Sequence, residues 1–480
     1  MRRAVQLGSR ILLSATVLSG VQCQSALPTP EVASPDPTLP LMVDREAGVI
    51  RDQTRRALIL RGFNYSGLEF GNFIGEAHGP KEADMALIGS YGANVLRLPI
   101  AWSYLEPTPG NIDLGYLTAQ VDPLLKWAEK KHIFVVLEMH QFYWSPCTGG
   151  NGAPKWVCDG HNYGPPGADA SYKAQTDFWA GVKGPDGVSL IDHYLKVWKR
   201  IAERYRDSKT VIGFDFMNEP MDLPNATTFE HEALYPFYRR AKDVIRGAGA
   251  PQLIVLEPPV IRNLGLAAKP EPIGDPNTLY APHLYTTTGG LPTSAYSGDR
   301  SAVRKDYERA QDEAVAFESV LWVGEFGGVT SEASGFIPKT ALGVRHAMVE
   351  QNAYRVGSAL WAFFPGGDVF SVVDRDRKEC KPVLDAFISP YPRMVAGHLD
   401  SLSWDQDSGA FSMVFREDET RSIPDPTVIF VPKARHYAKG FDVTIDGTDR
   451  AEWDEASSTL SIFRDPNKKT HSIQIVRKAR

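Results

Sequence analysis

The chain has 480 residues, 43% hydrophobic and 23% charged, the make-up of a globular protein with room for a large core and more than one domain. A formal charge of −6 excludes the basic surface that nucleic-acid binding needs. Beyond the N-terminus no run of about 18 apolar residues escapes a charge, which excludes an integral helical membrane protein.

The N-terminus carries Arg2, Arg3 and Arg10, the short apolar run "ILLSATVLSGV", and small residues around Cys23 to Ala26. This pattern predicts a secretory signal peptide over residues 1–25 and hence a secreted protein. Its removal leaves 49 of the 52 basic residues against 58 acidic ones, a charge of −9. Lipid anchoring at Cys23 is a lesser alternative, because Gly20, Val21 and Gln22 are a poor attachment context. The stretch "LPTPEVASPDPTLP" lacks apolar periodicity and predicts a proline-rich linker over residues 26–41.

From Met42 onward β-branched and apolar runs recur: "ALILRGFN", "ANVLRLPI", "HIFVVLEMH", "VIGFDFMNEP", "QLIVLEPP", "TLYAPHLY", "VLWVGEFGG" and "GSALWAFFPG". Between them lie segments such as "DPLLKWAEKK", "IDHYLKVWKRIAERYRD", "FYRRAKDVIRGAG" and "ALGVRHAMVEQNAY", whose apolar spacing suits one-sided helices on a sheet. Eight strand–helix units predict a (β/α)8 barrel, a TIM barrel, over residues 42–393. Within it Cys147 and Cys158 share a Gly/Pro-rich loop, which in an exported chain suits a local disulfide better than a metal site and leaves Cys380 unpaired. After "ISPYPR" the pattern changes to short alternating strands with turn signals and no amphipathic helix. This predicts a C-terminal β-sandwich over residues 394–480, either a cap on the barrel or a binding module.

Barrel chemistry sits at the C-terminal ends of the strands. Those ends read Arg97, His140, Asn218 with Glu219, His283 with Tyr285, Glu325 and Trp361. Each alone has an ordinary structural reading. Acids at the tips of two separate strands do not, because a lone buried carboxylate is costly unless it is paired or held for chemistry. Two carboxyls, an amide and an aromatic platform are what cleavage of a glycosidic bond requires.

With "NEP" after the fourth strand, "HLY" in the sixth, "GEFG" in the seventh, the second-strand Arg and the eighth-strand Trp, the barrel resembles glycoside hydrolase family 5, a retaining (β/α)8 family. The resemblance implies Glu219 as acid/base, Glu325 as nucleophile, Asn218 as a partner of the sugar 2-hydroxyl and Trp361 as the floor under the reacting sugar. Arg97 is then expected to hold Glu325 ionised and Tyr285 to donate to it, while Glu219 has to stay protonated until the leaving oxygen arrives. Glu138 and Glu257 are assigned structural roles. No metal or cofactor is expected.

The C-terminal sandwich and "RGFN", "MHQ" and "NEPM" make the chain similar to the endoglycoceramidase branch, including its endogalactosylceramidases. That implies hydrolysis between a glycan and ceramide, a glycosphingolipid substrate, transient contact with lipid surfaces or micelles, and a monomer. Phe326, Phe363, Phe364 and Phe370 are candidates for an apolar groove at the mouth. The chain departs from the branch where Phe142 follows Gln141 in place of an Asp and where no Lys follows Asn64 before Lys81. Galactose beside ceramide is therefore ranked close to glucose. A β-glucanase or mannanase of the same fold, and a catalytically silent sugar-binding protein, stay open as alternatives.

Overall fold

The computed structural model describes residues 37–286, 294–420, 423–446, 449–465 and 467–478. The signal peptide, Cys23 and most of the proline-rich linker lie outside the described residues. Three short antiparallel strands come first, β1 (Met42–Asp44), β2 (Val49–Arg51) and β3 (Ala57–Leu58). The barrel follows as β4 (Arg61–Tyr65), β5 (Val95–Ile100), β6 (Phe134–Met139), β7 (Val211–Asp215), β8 (Leu253–Leu256), β9 (Thr278–Tyr280), β10 (Val320–Gly327) and β11 (Gly357–Phe363). These eight are hydrogen-bonded in sequence order, all parallel, and β11 closes onto β4. All eight predicted strands are barrel strands.

The helices that cover the barrel include α1 (Glu82–Ser90), α2 (Asp122–Glu129), α3 (Ala168–Trp179), α4 (Leu190–Tyr205), α5 (Tyr235–Gly247), α6 (Arg300–Ala316) and α7 (Ile337–Tyr354). In α4 the Ser189 hydroxyl accepts the Asp192 amide as an N-cap, and Leu190, Tyr194, Val197, Trp198, Ile201 and Tyr205 fall on one buried stripe. No helix of the described residues is long and apolar enough to cross a membrane.

Strands alternate their side chains with a period of two, so every second residue points into the barrel. Low in the barrel these are apolar: Val95, Val136, Val255, Ala281 and Trp322 pack in one buried cluster. Two residues further on, the same rows become polar, with Arg97 after Val95, Glu138 after Val136, Glu257 after Val255 and His283 after Ala281. The site is this upper layer.

The remaining strands are β12 (Tyr391–Val395), β13 (His398–Asp405), β14 (Ala410–Arg416), β15 (Thr427–Phe430), β16 (Phe441–Ile445), β17 (Arg450–Asp454), β18 (Thr459–Phe463) and β19 (Thr470–Arg477). They form a four-stranded sheet, β13-β14-β19-β16, and a seven-stranded sheet, β1-β2-β3-β12-β15-β18-β17. Phe411, Met413, Phe415, Ile473 and Ile475 of the first share a core with Ile429, Leu460 and Ile462 of the second, the two-layer sandwich expected.

Its boundary differs from the predicted one. Met42 to Leu58 do not start the barrel: β3 pairs with β12, Leu58 opposite Met394, so the chain opens inside the sandwich. The run "ALILRGFN" is two strands, Ala57–Leu58 in the sandwich and Arg61–Tyr65 in the barrel. Leu58, Ile50, Met394 and Val428 of the large sheet join the cluster that fills the lower barrel. The sandwich thus seals the end of the barrel opposite the site. Gly92, at φ +81°, lets the turn after α1 approach this sheet, for a Cβ there would lie 2.2 Å from the Phe430 ring.

Candidate active site

Arg97 is the hub. Its fully buried guanidinium donates from Nε to Asp215 at 2.8 Å, from Nη1 to Asn64 at 2.9 Å and Glu325 at 2.8 Å, and from Nη2 to Asn218 at 3.1 Å and Glu257 at 2.6 Å. Glu138 lies 3.7 Å away. Burial opposes the charge on Arg97, but Glu138, Asp215, Glu257 and Glu325 outweigh it and hold the guanidinium well above its ordinary value.

Arg97, even with His283 beside it, is outnumbered by these four carboxyls, and burial favours the protonated form of some of them. Burial, then the like charge of Glu257, drives Asp215 well above the usual range, and its Oδ1 has no hydrogen-bond partner. Burial pushes Glu138 up to about 8 against the pull of Arg97. Glu257 escapes: burial works against its charge, but His283 and Arg97 outweigh it and its carboxyl stays below the usual value.

Glu325, on β10, accepts from Arg97 through Oε1 and from the Tyr285 hydroxyl at 2.8 Å through Oε2. The two expected contacts are present. The expected pKa is not, since burial, reinforced by Glu219, raises the carboxyl despite His283 and Arg97. The Tyr285 hydroxyl is itself held well above its ordinary value by burial and by Glu325, so it stays a donor.

Glu219 stands at the tip of β7 with φ +45°, a left-handed backbone that a glutamate adopts only when its surroundings enforce it. Here its amide donates to Glu257 Oε2 at 2.8 Å, and Gln141 Nε2 donates to the carbonyls of Asn218 and Glu219 at 3.0 and 3.3 Å. Glu257 is therefore structural, as assigned, and what it supports is Glu219. The Glu219 side chain, 25% exposed, accepts through Oε1 from His283 Nδ1 at 2.9 Å and from Asn263 Nδ2 at 2.8 Å.

Burial opposes protonation of His283, yet Glu257 and Glu325 hold it well above its ordinary value. Its ring nitrogens lie 3.2 Å from Glu257 and 3.4 Å from Glu325. Glu219, His283 and Glu325 each place one donor atom within 4.8 Å of the others, among the described residues the one trio spaced for a metal ion.

His140 Nδ1 lies 3.1 Å from Glu138, and its ring stacks on Trp361 at 5.5 Å and 11°. Burial lowers its pKa, keeping the imidazole neutral. Trp361 packs with Tyr285 and Phe370. Arg97, His140, Asn218, Glu219, His283, Tyr285, Glu325 and Trp361 thus meet at one mouth.

Of the four phenylalanines proposed for an apolar groove, Phe326 and Phe363 are core residues, packed on Phe387 and on Tyr65 and Phe63. Phe364 and Phe370 do reach the mouth, and Phe364 stacks on Phe70, 46% exposed in the loop after β4. Phe142 is 54% exposed beside Tyr143 on the loop after β6. That loop carries the expected Cys147–Cys158 disulfide, while Cys380 is free.

Asn64, Asp215 and Asn263 were not anticipated. Asn64 and Asp215 lie near the C-terminal ends of β4 and β7, the same signal that selected Arg97; Asn263 sits in a loop with no sequence signal. Glu69, a buried carboxyl in the loop after β4 raised by burial to about 7, was missed as well.

Residues 52–365 match the family model for cellulase (glycosyl hydrolase family 5), and residues 390–475 match the glycoside hydrolase family 5 C-terminal domain. The chain is 24% identical to endoglycoceramidase I of Rhodococcus hoagii (strain 103S) over 398 residues, 78% of this chain and 76% of that protein. It superposes on endo-glycoceramidase II from Rhodococcus sp. with a TM-score of 0.75 at 27% identity, covering 89% of this chain and 99% of the other. It shares its fold with an endogalactoceramidase, with a TM-score of 0.66 at 23% identity over 92% of this chain and all of that one.

Proposed function

The chain belongs to glycosyl hydrolase family 5, and from that premise we propose that it is a retaining, endo-acting glycosidase that cleaves the β-bond between an oligosaccharide and ceramide in glycosphingolipids. The observation that carries the reading is the pair of carboxyls: oxygens of Glu219 and Glu325 lie within 4.8 Å of each other, against the roughly 5–5.5 Å of a double displacement.

In the first step a Glu325 oxygen attacks the anomeric carbon as the Glu219 carboxyl gives its proton to the glycosidic oxygen. The bond to ceramide breaks, and ceramide leaves as a neutral alcohol. In the second, Glu219, now a carboxylate, takes a proton from water; the oxygen attacks the anomeric carbon and frees Glu325. Asn218, with one amide hydrogen on the Gln141 carbonyl, keeps a second for the sugar 2-hydroxyl, over the floor of Trp361. The Rhodococcus endo-glycoceramidase II has been solved as a lactosyl-enzyme intermediate and in a complex with ganglioside GM3. We place the enzyme outside the cell, as its N-terminus suggests, acting as a monomer on lipid surfaces or micelles.

The sugar beside ceramide is proposed to be galactose. The two candidates differ at the 4-hydroxyl, and this chain offers Phe142 and no nearby lysine where the branch places polar partners. An unpartnered hydroxyl costs about 1–3 kcal/mol, roughly ten- to hundredfold in selectivity. Matched micellar glycolipids with galactose or glucose beside ceramide, assayed next to soluble β-glucan and mannan, should show release of an intact glycan, a galactose preference and no turnover of the polysaccharides. Hydrolysis of the polysaccharides alone would overturn the substrate class, and a preference for glucose the subsite assignment.

A further inference from the structure

The acid/base carboxyl has a neighbour that neither strand pattern nor motif announces. Asn263 lies in the 3-10 turn Val260–Leu264 after β8, and its buried amide donates to Glu219 Oε1. His283 Nδ1 donates to the same oxygen. Glu219 Oε2 accepts no hydrogen bond among the described residues. The turn is fixed ahead of Asn263: the Val260 amide donates to the Pro220 carbonyl at 2.9 Å, and Arg262, fully buried, pairs with Asp306 at 2.5 Å and Glu313 at 2.9 Å on α6.

We propose that Asn263 is a positioning residue that fixes which oxygen of Glu219 carries the proton. An oxygen that accepts two N–H donors is the carbonyl oxygen of a carboxylic acid, and the proton then belongs on the other. With Oε1 occupied, Oε2 delivers the proton to the leaving oxygen. The same two donors also stabilise the carboxylate that remains, so losing one favours the protonated form. The titratable groups that face or flank Glu219 are His283, Tyr285, Glu325, Glu257, Glu138 and His140, and none of them is altered by a substitution at Asn263 alone.

The inference rests on the assignment of Glu219 above, and its test separates the two. Asn263→Ala is compared with wild type on a micellar glycolipid, whose alcohol needs a proton to leave, and on the 2,4-dinitrophenyl glycoside of the same sugar, whose phenolate does not. We expect kcat/KM to fall roughly 30-fold or more on the glycolipid and less than about 3-fold on the aryl glycoside, within the range of general acid catalysis. The alkaline limb of the glycolipid pH profile should move upward. Equal losses on the two substrates, or an alkaline limb that stays in place, overturn the proposal. If the alanine variant lacks the near-ultraviolet dichroism of wild type, Asn263→Leu, nearly isosteric, uncharged and without the amide donor, carries the same test. Glu219→Gln, assayed on the same two substrates, should show the same split in kcat/KM, and equal losses there would overturn the assignment of Glu219 and the proposal with it.

Discussion

Two buried arginine clusters, both reached from the turn after β8, show opposite electrostatics. Arg262 faces Asp306 and Glu313, and Asp306 also receives Arg309 at 2.7 Å and the Thr286 hydroxyl. Burial alone would raise Asp306, but Arg262 and its other partners outweigh it and the carboxyl stays below its usual value. Arg97 instead serves four carboxyls, and Asp215, paired with it at 2.8 Å, is raised. Both aspartates are buried and both touch a guanidinium. The balance of charge separates them: a matched cluster holds the scaffold, and a cluster short of cations retains the protons that a displacement with a transferred proton needs.

The contrast sharpens most under substitution of the reacting carboxyls. Glu219→Gln and Glu325→Gln should each lower kcat by about 10² to 10⁴ or more with an unchanged circular dichroism spectrum, and near wild-type turnover in either would remove the mouth cluster from the chemistry. Next in size is the scaffold cluster. Arg262→Leu leaves two buried acids without their main cation and should cost about 3–5 kcal/mol in urea unfolding. Asp215→Asn replaces a carboxyl already inclined to hold its proton and should cost less than about 1 kcal/mol. Equal losses in these two variants would erase the distinction.

A further effect is one of pH. Glu138 has a folded pKa of about 8 against an ordinary 4.5, so its contribution to stability is fully present below pH 4.5 and is lost as pH rises through about 8. The melting temperature should fall over that window, and Glu138→Gln should flatten the fall. A profile that rises instead, or one unaffected by the substitution, would show that Glu138 is ionised in the fold.

What the sequence made legible follows the same physics. A parallel strand buried on both faces has to be a continuous apolar run, and eight such runs gave both the barrel and the strand tips that carry Arg97, Glu219, His283 and Glu325. The run "ALILRGFN" misled because two adjoining strands of different sheets look like one, and the partner of Leu58 is Met394. The direction of the Glu325 shift was misjudged because a neighbouring arginine is visible in a motif, whereas the burial that outweighs it and the approach of Glu219 are visible only in the fold. Phe326 follows Glu325, which is bound for the barrel interior, and so points outward; Phe363 is packed against Phe63 and Tyr65 in the same outer layer. Asn263 was out of reach, since an asparagine in a polar turn is common and only the fold brings it to Glu219.

The stitching of β3 to β12 gives the chain a schedule. On a ribosome, residues 42–58 emerge before the barrel, yet Ala57 and Leu58 find their partners Val395 and Met394 only after the whole barrel has been made. At about 5–20 residues per second, that is a wait on the order of tens of seconds with an apolar strand edge unpaired. The lower mouth of the barrel stays unsealed for the same interval, because Leu58, Met394 and Val428 complete its interior together. The step that shuts the barrel floor therefore waits until Met394 and Val428 have been made, long after the strands it seals.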